Sequence, residues 1–138
     1  MEIKQISVFL ENSTGRVAEV TRILAGAAVN IRALCIADTK DFGILRLIVD
    51  KPDAALEALK GADFTTRVTN VAAVEVEDKP GSLAGVIELF QKTNVNIEYL
   101  YASLEGKTGK AVVIFKLEDH QKGLEIIREN NITLIESF

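Results

Sequence analysis

The chain of 138 residues contains an internal repeat, in which residues 8–34 recur at residues 74–100. Nine positions of this ungapped alignment are identical, whereas chance would give roughly one or two. In the first copy they are Val8, Glu11, Gly15, Ala18, Val20, Val29, Asn30, Ile31 and Leu34. A period of about 66–68 residues is too long for a solenoid repeat and indicates a duplicated small domain.

Each half has about 70 residues, and a unit of that size buries little surface when it folds alone. We therefore expect the two halves to share an interface. The chain is 48% hydrophobic and 26% charged, which is typical of a globular protein. No apolar run approaches the roughly 18 residues of a membrane span, and the N-terminus lacks a signal-peptide pattern, so we expect a cytoplasmic protein.

Composition argues against several classes of function. The net charge of −4 offers no basic face for nucleic acid. The single histidine, His120, is expected to be a solvated residue at a helix start rather than a general base. Cys35 stands alone in an apolar strand-like run, which favours a small buried residue over a reactive thiol. We expect neither an enzyme nor a bound metal or cofactor.

The hydrophobic pattern gives both halves the same order of elements. The pattern of apolar residues indicates strands at 3–10, 31–37, 43–49 and 64–69, then at 71–76, 97–104, 111–117 and 132–135. Apolar stripes at spacings of three and four indicate two helices in each half. The order β-α-β-β-α-β predicts an α+β chain of two ferredoxin-like units, each with a four-stranded antiparallel sheet, at residues 1–69 and 70–138.

Two strands are apolar at consecutive positions, Ile44–Val49 (except Arg46) and Ala111–Phe115. Consecutive apolar residues indicate a sheet that is covered on both faces, whereas the predicted helices lie on one face only. The other half, a second copy of the chain or a partner protein is expected to cover the second face.

A glycine loop joins the first strand of each half to its helix, at Gly15 and Gly81. The first N–H groups of a helix lack backbone partners and, with the helix dipole, suit a carboxylate or another small anion. A simple turn also accounts for both glycines. Asn30 and Asn96 follow the helices, where a left-handed helix end alone would explain them. Because loop and asparagine lie at opposite ends of the helix, a site using both requires an interface.

The second half reads Asp78, Pro80-Gly81, Leu83 and then Asn96-Ile97, and this pattern resembles the ACT domain. ACT domains are small regulatory modules attached to many enzymes of amino-acid biosynthesis. The first half departs from the pattern, with Asn12 in place of Asp and Thr14 in place of Pro. The resemblance extends over nearly the whole chain, which is similar to a free-standing tandem ACT protein.

The resemblance implies a regulatory protein that binds a free amino acid where two ACT units meet, and that forms a homodimer. In serine-sensing members, an asparagine of the first loop and another eighteen positions later hold the effector, and Asn12 and Asn30 have this spacing. The implied effector-binding residues are Asn12, Thr14, Gly15, Arg16, Val17, Asn30, Ile31, Asp78, Pro80, Gly81, Ser82, Leu83, Asn96 and Ile97. The alternative is an interaction subunit that docks on an amino-acid-metabolism enzyme without binding a small ligand.

Overall fold

A computed structural model describes residues 2–11, 13–38, 41–104 and 106–138 of the chain. Its elements are β1 (Ile3–Glu11), α1 (Arg16–Gly26), β2 (Ile31–Asp38), β3 (Phe42–Val49), α2 (Pro52–Gly61), β4 (Thr65–Glu77), α3 (Ser82–Lys92), β5 (Ile97–Ala102), β6 (Lys110–Leu117), α4 (His120–Glu129) and β7 (Thr133–Ile135). Within these ranges, no helix has the length and apolar character needed to cross a bilayer.

The chain forms two compact units. The first-repeat unit comprises Lys4–Thr69 together with Phe138, and the second-repeat unit comprises Asn70–Ser137 together with Glu2 and Ile3. Strand order is β2-β3-β1-β4 in the first-repeat unit and β5-β6-β4-β7 in the second. Antiparallel pairing of β3 with β1 and β2, and of β6 with β4 and β5, confirms the predicted ferredoxin-like βαββαβ fold.

β4 is a single strand, whereas two separate strands were expected at 64–69 and 71–76. Its thirteen residues contain neither proline nor glycine, and valine and threonine make up about half of them. Such a sequence has no break in its preference for extended backbone. Both units take a strand from β4, and its pairs with β6 begin at Ala72.

The first-repeat core forms where the two helices pack on one face of the sheet. Val20 and Leu24 of α1 lie four residues apart and are both buried, as are Ala55 and Leu59 of α2. The sheet contributes alternate residues to the same cluster, namely Ile6, Val8, Leu10, Leu45, Leu47 and Val49. The predicted amphipathic stripes therefore do face a core.

The second-repeat core repeats this arrangement with a larger side chain. Val86 and Phe90 of α3 occupy the positions of Val20 and Leu24, and Phe90 is fully buried. Its ring meets that of Phe115 on β6 edge to face, with centroids 5.4 Å apart. This geometry is favourable for two aromatic quadrupoles.

The opposite sheet face is also buried at several positions in the single chain. Gln5, Ala33 and Ile48 are at most 1% exposed, although they alternate with residues that face the helices. Ala73 and Ile114 have the same character in the second-repeat unit. At Ile48 and Ile114 the consecutive apolar runs are therefore covered on the second face, as expected.

Cys35 lies on β2 opposite Arg46 of β3 and is partly buried. Burial raises the pKa of the Cys35 thiol above its usual range, and the nearby Arg46 guanidinium offsets part of this shift. The thiol therefore stays protonated near neutral pH, which favours the packing interpretation over a reactive nucleophile.

Candidate functional site

The two strand-to-helix loops have the same backbone conformation. In the first loop the Ser13 N–H donates to the Glu11 carbonyl at 2.8 Å, and in the second the Lys79 N–H donates to the Glu77 carbonyl at 2.9 Å. Gly15 has φ +92° and Gly81 has φ +90°, which is the left-handed region that favours glycine. The sequence repeat is therefore also a repeat of loop geometry.

No described side chain caps the helix that begins at either loop. Gly15 and Gly81 are the N-cap residues of α1 and α3, and neither helix has a side-chain cap hydrogen bond. The Glu19 N–H donates to the Gly15 carbonyl at 2.9 Å. Among the described residues, none accepts a hydrogen bond from the N–H groups of Val17 and Ala18, or of Leu83 and Ala84. These open donors suit an anion.

We expect Gly15→Ala and Gly81→Ala each to lower the free energy of unfolding by about 1–2 kcal/mol, because an L side chain is strained at positive φ. Steric overlap does not contribute, since no atom lies within 4 Å of an added Cβ. Urea denaturation measures the change. Gly61→Ala is the matched control: it has equal space and no positive φ, and should be neutral or slightly stabilising. Equal effects at the three glycines would contradict this interpretation.

The first loop opens onto a cleft of about 550 Å³, which we call the Gly15 cleft. It is lined by Thr14, Gly15, Arg16, Glu19, Arg22 and Ile23. Arg16 Nη1 bonds Glu19 Oε2 at 2.9 Å, and the guanidinium stacks on Phe64 at 4.6 Å from the ring centroid. Two arginines and one glutamate give the cleft a net positive lining, which reinforces the preference for a carboxylate.

The second loop differs in its charges. Lys79 Nζ lies 2.7 Å from Glu77 Oε2, and this hydrogen-bonded pair lowers the pKa of Glu77 and raises the pKa of Lys79. Ser82 replaces Arg16 at the first helical position, and Asp78 lies next to Lys79. Since Ser82 carries no charge and Asp78 adds a carboxylate, this loop is less suited to a carboxylate than the first.

The structure places Asn30 and Asn96 at the far ends of α1 and α3 from the glycine loops. An eleven-residue helix is about 16 Å long, so Gly15 and Asn30 do not form one site within a unit. The left-handed residues after these helices are Ala28 and Asn94, with φ +55° and +59°. The idea that Asn30 and Asn96 end the helices in that conformation is therefore wrong, and both precede a strand.

The remaining predicted residues occupy the loops and strand starts. Pro80 and Ser82 flank Gly81, while Ile31 and Ile97 begin β2 and β5 and pack partly against the cores. Asn12 lies outside the described residues. Of the predicted set, the Gly15 cleft brings together Thr14, Gly15 and Arg16.

A second cleft, of about 580 Å³, lies at the other end of the second-repeat unit; we call it the Asn96 cleft. Its lining comprises Asn94, Val95, Asn96, Glu118, Asp119, His120, Gln121 and Lys122. Sequence reasoning missed the residues from the β6–α4 turn. The sequence did contain a signal for them. After the β-hairpin of each half, the two copies of the repeat align at an offset of 68 residues, which pairs Glu118-Asp119 with Asp50-Lys51. At the second of these positions an aspartate replaces the lysine.

His120 does not fit the expectation of a solvated helix start, since its side chain is only 14% exposed. Its Nε2 lies 3.4 Å from Glu2 Oε1, and the same carboxylate oxygen accepts a hydrogen bond from Gln121 Nε2 at 3.0 Å. The His120–Glu2 approach lies within ion-pair distance but lacks hydrogen-bond geometry. Glu2, which precedes β1, thus packs against the start of α4.

Comparison with protein families finds one model, described as an ACT domain pair, that matches residues 1–137. No curated protein sequence matches the chain. Among solved structures, the protein BT0572 from Bacteroides thetaiotaomicron is similar over 98% of this chain and 92% of its own, with 40% identity and a TM-score of 0.92.

Two more distant structures share the fold. The ligand-free regulatory subunit of aspartate kinase from Thermus thermophilus has 19% identity and a TM-score of 0.67, covering 94% of this chain and 93% of its own. The corresponding regulatory subunit from Thermus flavus has 18% identity and a TM-score of 0.63, covering 94% and 92%.

Proposed function

Because this chain belongs to the family of ACT domain pairs, we propose that it is a non-enzymatic regulatory protein that binds a free amino acid. The observation that carries the proposal is the pair of uncapped helix starts, at which open N–H groups follow a left-handed glycine. An α-carboxylate supplies the acceptors that these donors lack.

The first-repeat loop is the stronger of the two candidate carboxylate sites. Its cleft has a net positive lining, and Arg22 is exposed with its Nε bonded to the Ala18 carbonyl at 3.3 Å. The terminal nitrogens of Arg22 remain available to a ligand. Val17 is 40% exposed at the same helix start and offers apolar surface to the ligand's side chain.

The second-repeat loop is proposed to differ in how it holds a ligand. Asp78 places a carboxylate where the first repeat has the neutral Asn12, so it repels a carboxylate and attracts an ammonium group. Leu83 replaces Val17 as the partly exposed apolar residue. We propose that the two loops hold one amino acid asymmetrically, or that only the first binds it.

The length of α1 supports the proposed homodimer. A site that uses both the Gly15 loop and Asn30 needs those groups from two different units, because about 16 Å separates them within one. A second copy of the chain supplies such a unit. Binding at that interface would stabilise the assembled form by mass action and so couple amino-acid concentration to the state of the regulated enzyme.

A thermal-unfolding panel of the common amino acids at millimolar concentration tests the proposal. We expect one amino acid, or one chemical class, to raise the melting temperature, since saturation at a hundredfold excess over Kd stabilises by about 2.7 kcal/mol. Arg22→Gln should weaken that amino acid's affinity by about five- to twentyfold, because it removes a charged donor from the Gly15 cleft. Lys60→Gln, an equal loss of charge on the exposed end of α2, should leave affinity unchanged.

The outcomes separate the candidate functions. No shift with any amino acid would contradict the sensor role. Co-purification with an amino-acid-metabolism enzyme, unaffected by added amino acids, would then favour the docking subunit. If Arg22→Gln and Lys60→Gln weakened amino-acid affinity equally, the sensor role would stand, but the Gly15 cleft would not be the binding site.

A further inference from the structure

β2 and β5 stand at the two ends of the strand order, so each has one side that pairs with no described strand. Ile36 of β2 is 53% exposed and Leu100 of β5 is 39% exposed. Proteins usually protect such edges with lysine, proline or a covering segment, because an open apolar edge associates with another chain. Exposed apolar residues on both edge strands therefore indicate that another chain binds there.

Each edge strand is accompanied by a helix that adds to its apolar surface. β1 and β2 both run antiparallel to β3, so α1 returns between two parallel strands and its start lies over the end of β2. Val17 at the start of α1 is 40% exposed, and Leu83 at the start of α3 is 36% exposed. We call α1 with β2 the first edge, and α3 with β5 the second edge.

The two edges carry opposite charges at equivalent positions. The repeat offset of 66 residues pairs Arg22 with Glu88 and Arg32 with Glu98. Arg22 and Glu88 are both exposed, and each lies near the middle of its eleven-residue helix. Glu98 Oε2 lies 3.2 Å from Lys116 Nζ, so its charge is partly balanced within the chain. The helix position therefore carries the clearest contrast between the edges.

The contrast extends to the net charge of each edge. Residues 16–37 contain three arginines and one glutamate, whereas residues 82–103 contain two glutamates and one lysine. The first edge is thus net positive and the second net negative. Two first edges, or two second edges, would repel each other, whereas a first and a second edge attract.

We propose that the first edge of one copy of the chain binds the second edge of another copy. The apolar residues of α1 and β2 then meet those of α3 and β5, and Arg22 lies beside the partner's Glu88. In a dimer with two-fold symmetry this contact forms twice. The proposal rests on the homodimer of the proposed function and names the surfaces that form it.

Sedimentation velocity of the full chain, without added amino acid, tests which edges pair. We expect Glu88→Gln to raise the dimer dissociation constant about two- to tenfold, because an exposed ion pair is lost at each contact. Pairing of like edges predicts the opposite sign, since the change would then remove a repulsion between two Glu88 side chains. A lower dissociation constant for Glu88→Gln would therefore overturn the proposal.

Glu57→Gln is the matched control for Glu88→Gln. It makes the same change of charge at an exposed position of α2, which belongs to neither edge. We expect it to leave the dissociation constant unchanged. Equal weakening by both variants would mean that the overall charge of the chain, rather than a pairing of unlike edges, governs association, and would overturn the proposal.

Mixing two variants gives a second test. Ile36→Lys alters the first edge and Leu100→Lys the second, so each should weaken its own dimer by about tenfold or more, because a charge enters an apolar contact. A mixture of the two should associate more tightly than either alone, since a mixed dimer contains one contact between two unaltered edges. If like edges paired, every contact of the mixed dimer would contain an altered edge.

An absence of such rescue in the mixture would overturn the proposal, provided that circular dichroism shows both variants to be folded. If one variant does not fold, the sign of the Glu88→Gln effect still decides, because that side chain is exposed. Pairing of like edges would overturn this inference alone. A wild-type chain that stays monomeric would also remove the proposed homodimer, and the amino-acid panel tests the sensor role independently of both.

Discussion

Phe90→Ala is expected to lower the free energy of unfolding by about 3–5 kcal/mol, the largest effect of any substitution considered for this chain. Phe90 is fully buried on α3, and the change removes its edge-to-face partner contact with Phe115 as well as its apolar surface. A cavity is left between a helix and β6, where the flanking strands restrict collapse. Urea denaturation followed by circular dichroism measures the loss.

Phe42→Ala is the matched control for Phe90→Ala. The chemical change is identical, but Phe42 is 62% exposed at the start of β3. We expect it to alter the free energy of unfolding by less than about 1 kcal/mol, because little cavity forms at the surface. Similar losses for the two variants would mean that the second-repeat core does not depend on the ring of Phe90.

The fold was predictable because the repeat and the hydrophobic periodicity agree. Val20 and Leu24 in one copy and Val86 and Phe90 in the other have helical spacing, and all four are buried. Leu24 in the first copy corresponds to Phe90 in the second, and both are accommodated in a core. The pattern specifies which helix face is apolar, and it does not specify the shape of each side chain.

Local details that depend on contacts between distant residues were not predictable. His120 stands at the start of α4 as expected, but it is largely buried rather than solvated, because Glu2 packs against it. The left-handed residue after α1 is Ala28, although asparagine tolerates that conformation better than alanine. In this case the surrounding chain overrides the local preference.

The candidate site was predictable only in part for the same reason. Gly15 and Gly81 could be singled out because glycine is the residue type that most readily adopts a positive φ. The end of α1 is held in part by the bond from Lys51 Nζ to the Ala28 carbonyl, which joins residues 23 positions apart. No local pattern reports such a bond, and it emerges only when the two folded repeats are compared.

Gly123→Ala is expected to lower the free energy of unfolding by up to about 2 kcal/mol, although alanine favours helix more than glycine does. Gly123 is a buried residue of α4, and an added Cβ would overlap Leu117 Cδ1 and lie 3.5 Å from its Cγ. Leu117 is itself fully buried, so its rotation would disturb the core. Overpacking costs about 1–3 kcal/mol and outweighs the gain in helix propensity of about 1 kcal/mol.

Two further variants decide whether that overlap is the cause. Gly85→Ala on α3 has no atom within 4 Å of the added Cβ and should stabilise by about 0.5–1 kcal/mol, since only helix propensity changes. In a double-mutant cycle, Gly123→Ala should lose its cost or become stabilising in a Leu117→Ala background, where the overlapping atom is gone. A cost that persists in that background would assign the destabilisation to the α4 backbone, and stabilisation by Gly123→Ala alone would refute the packing argument.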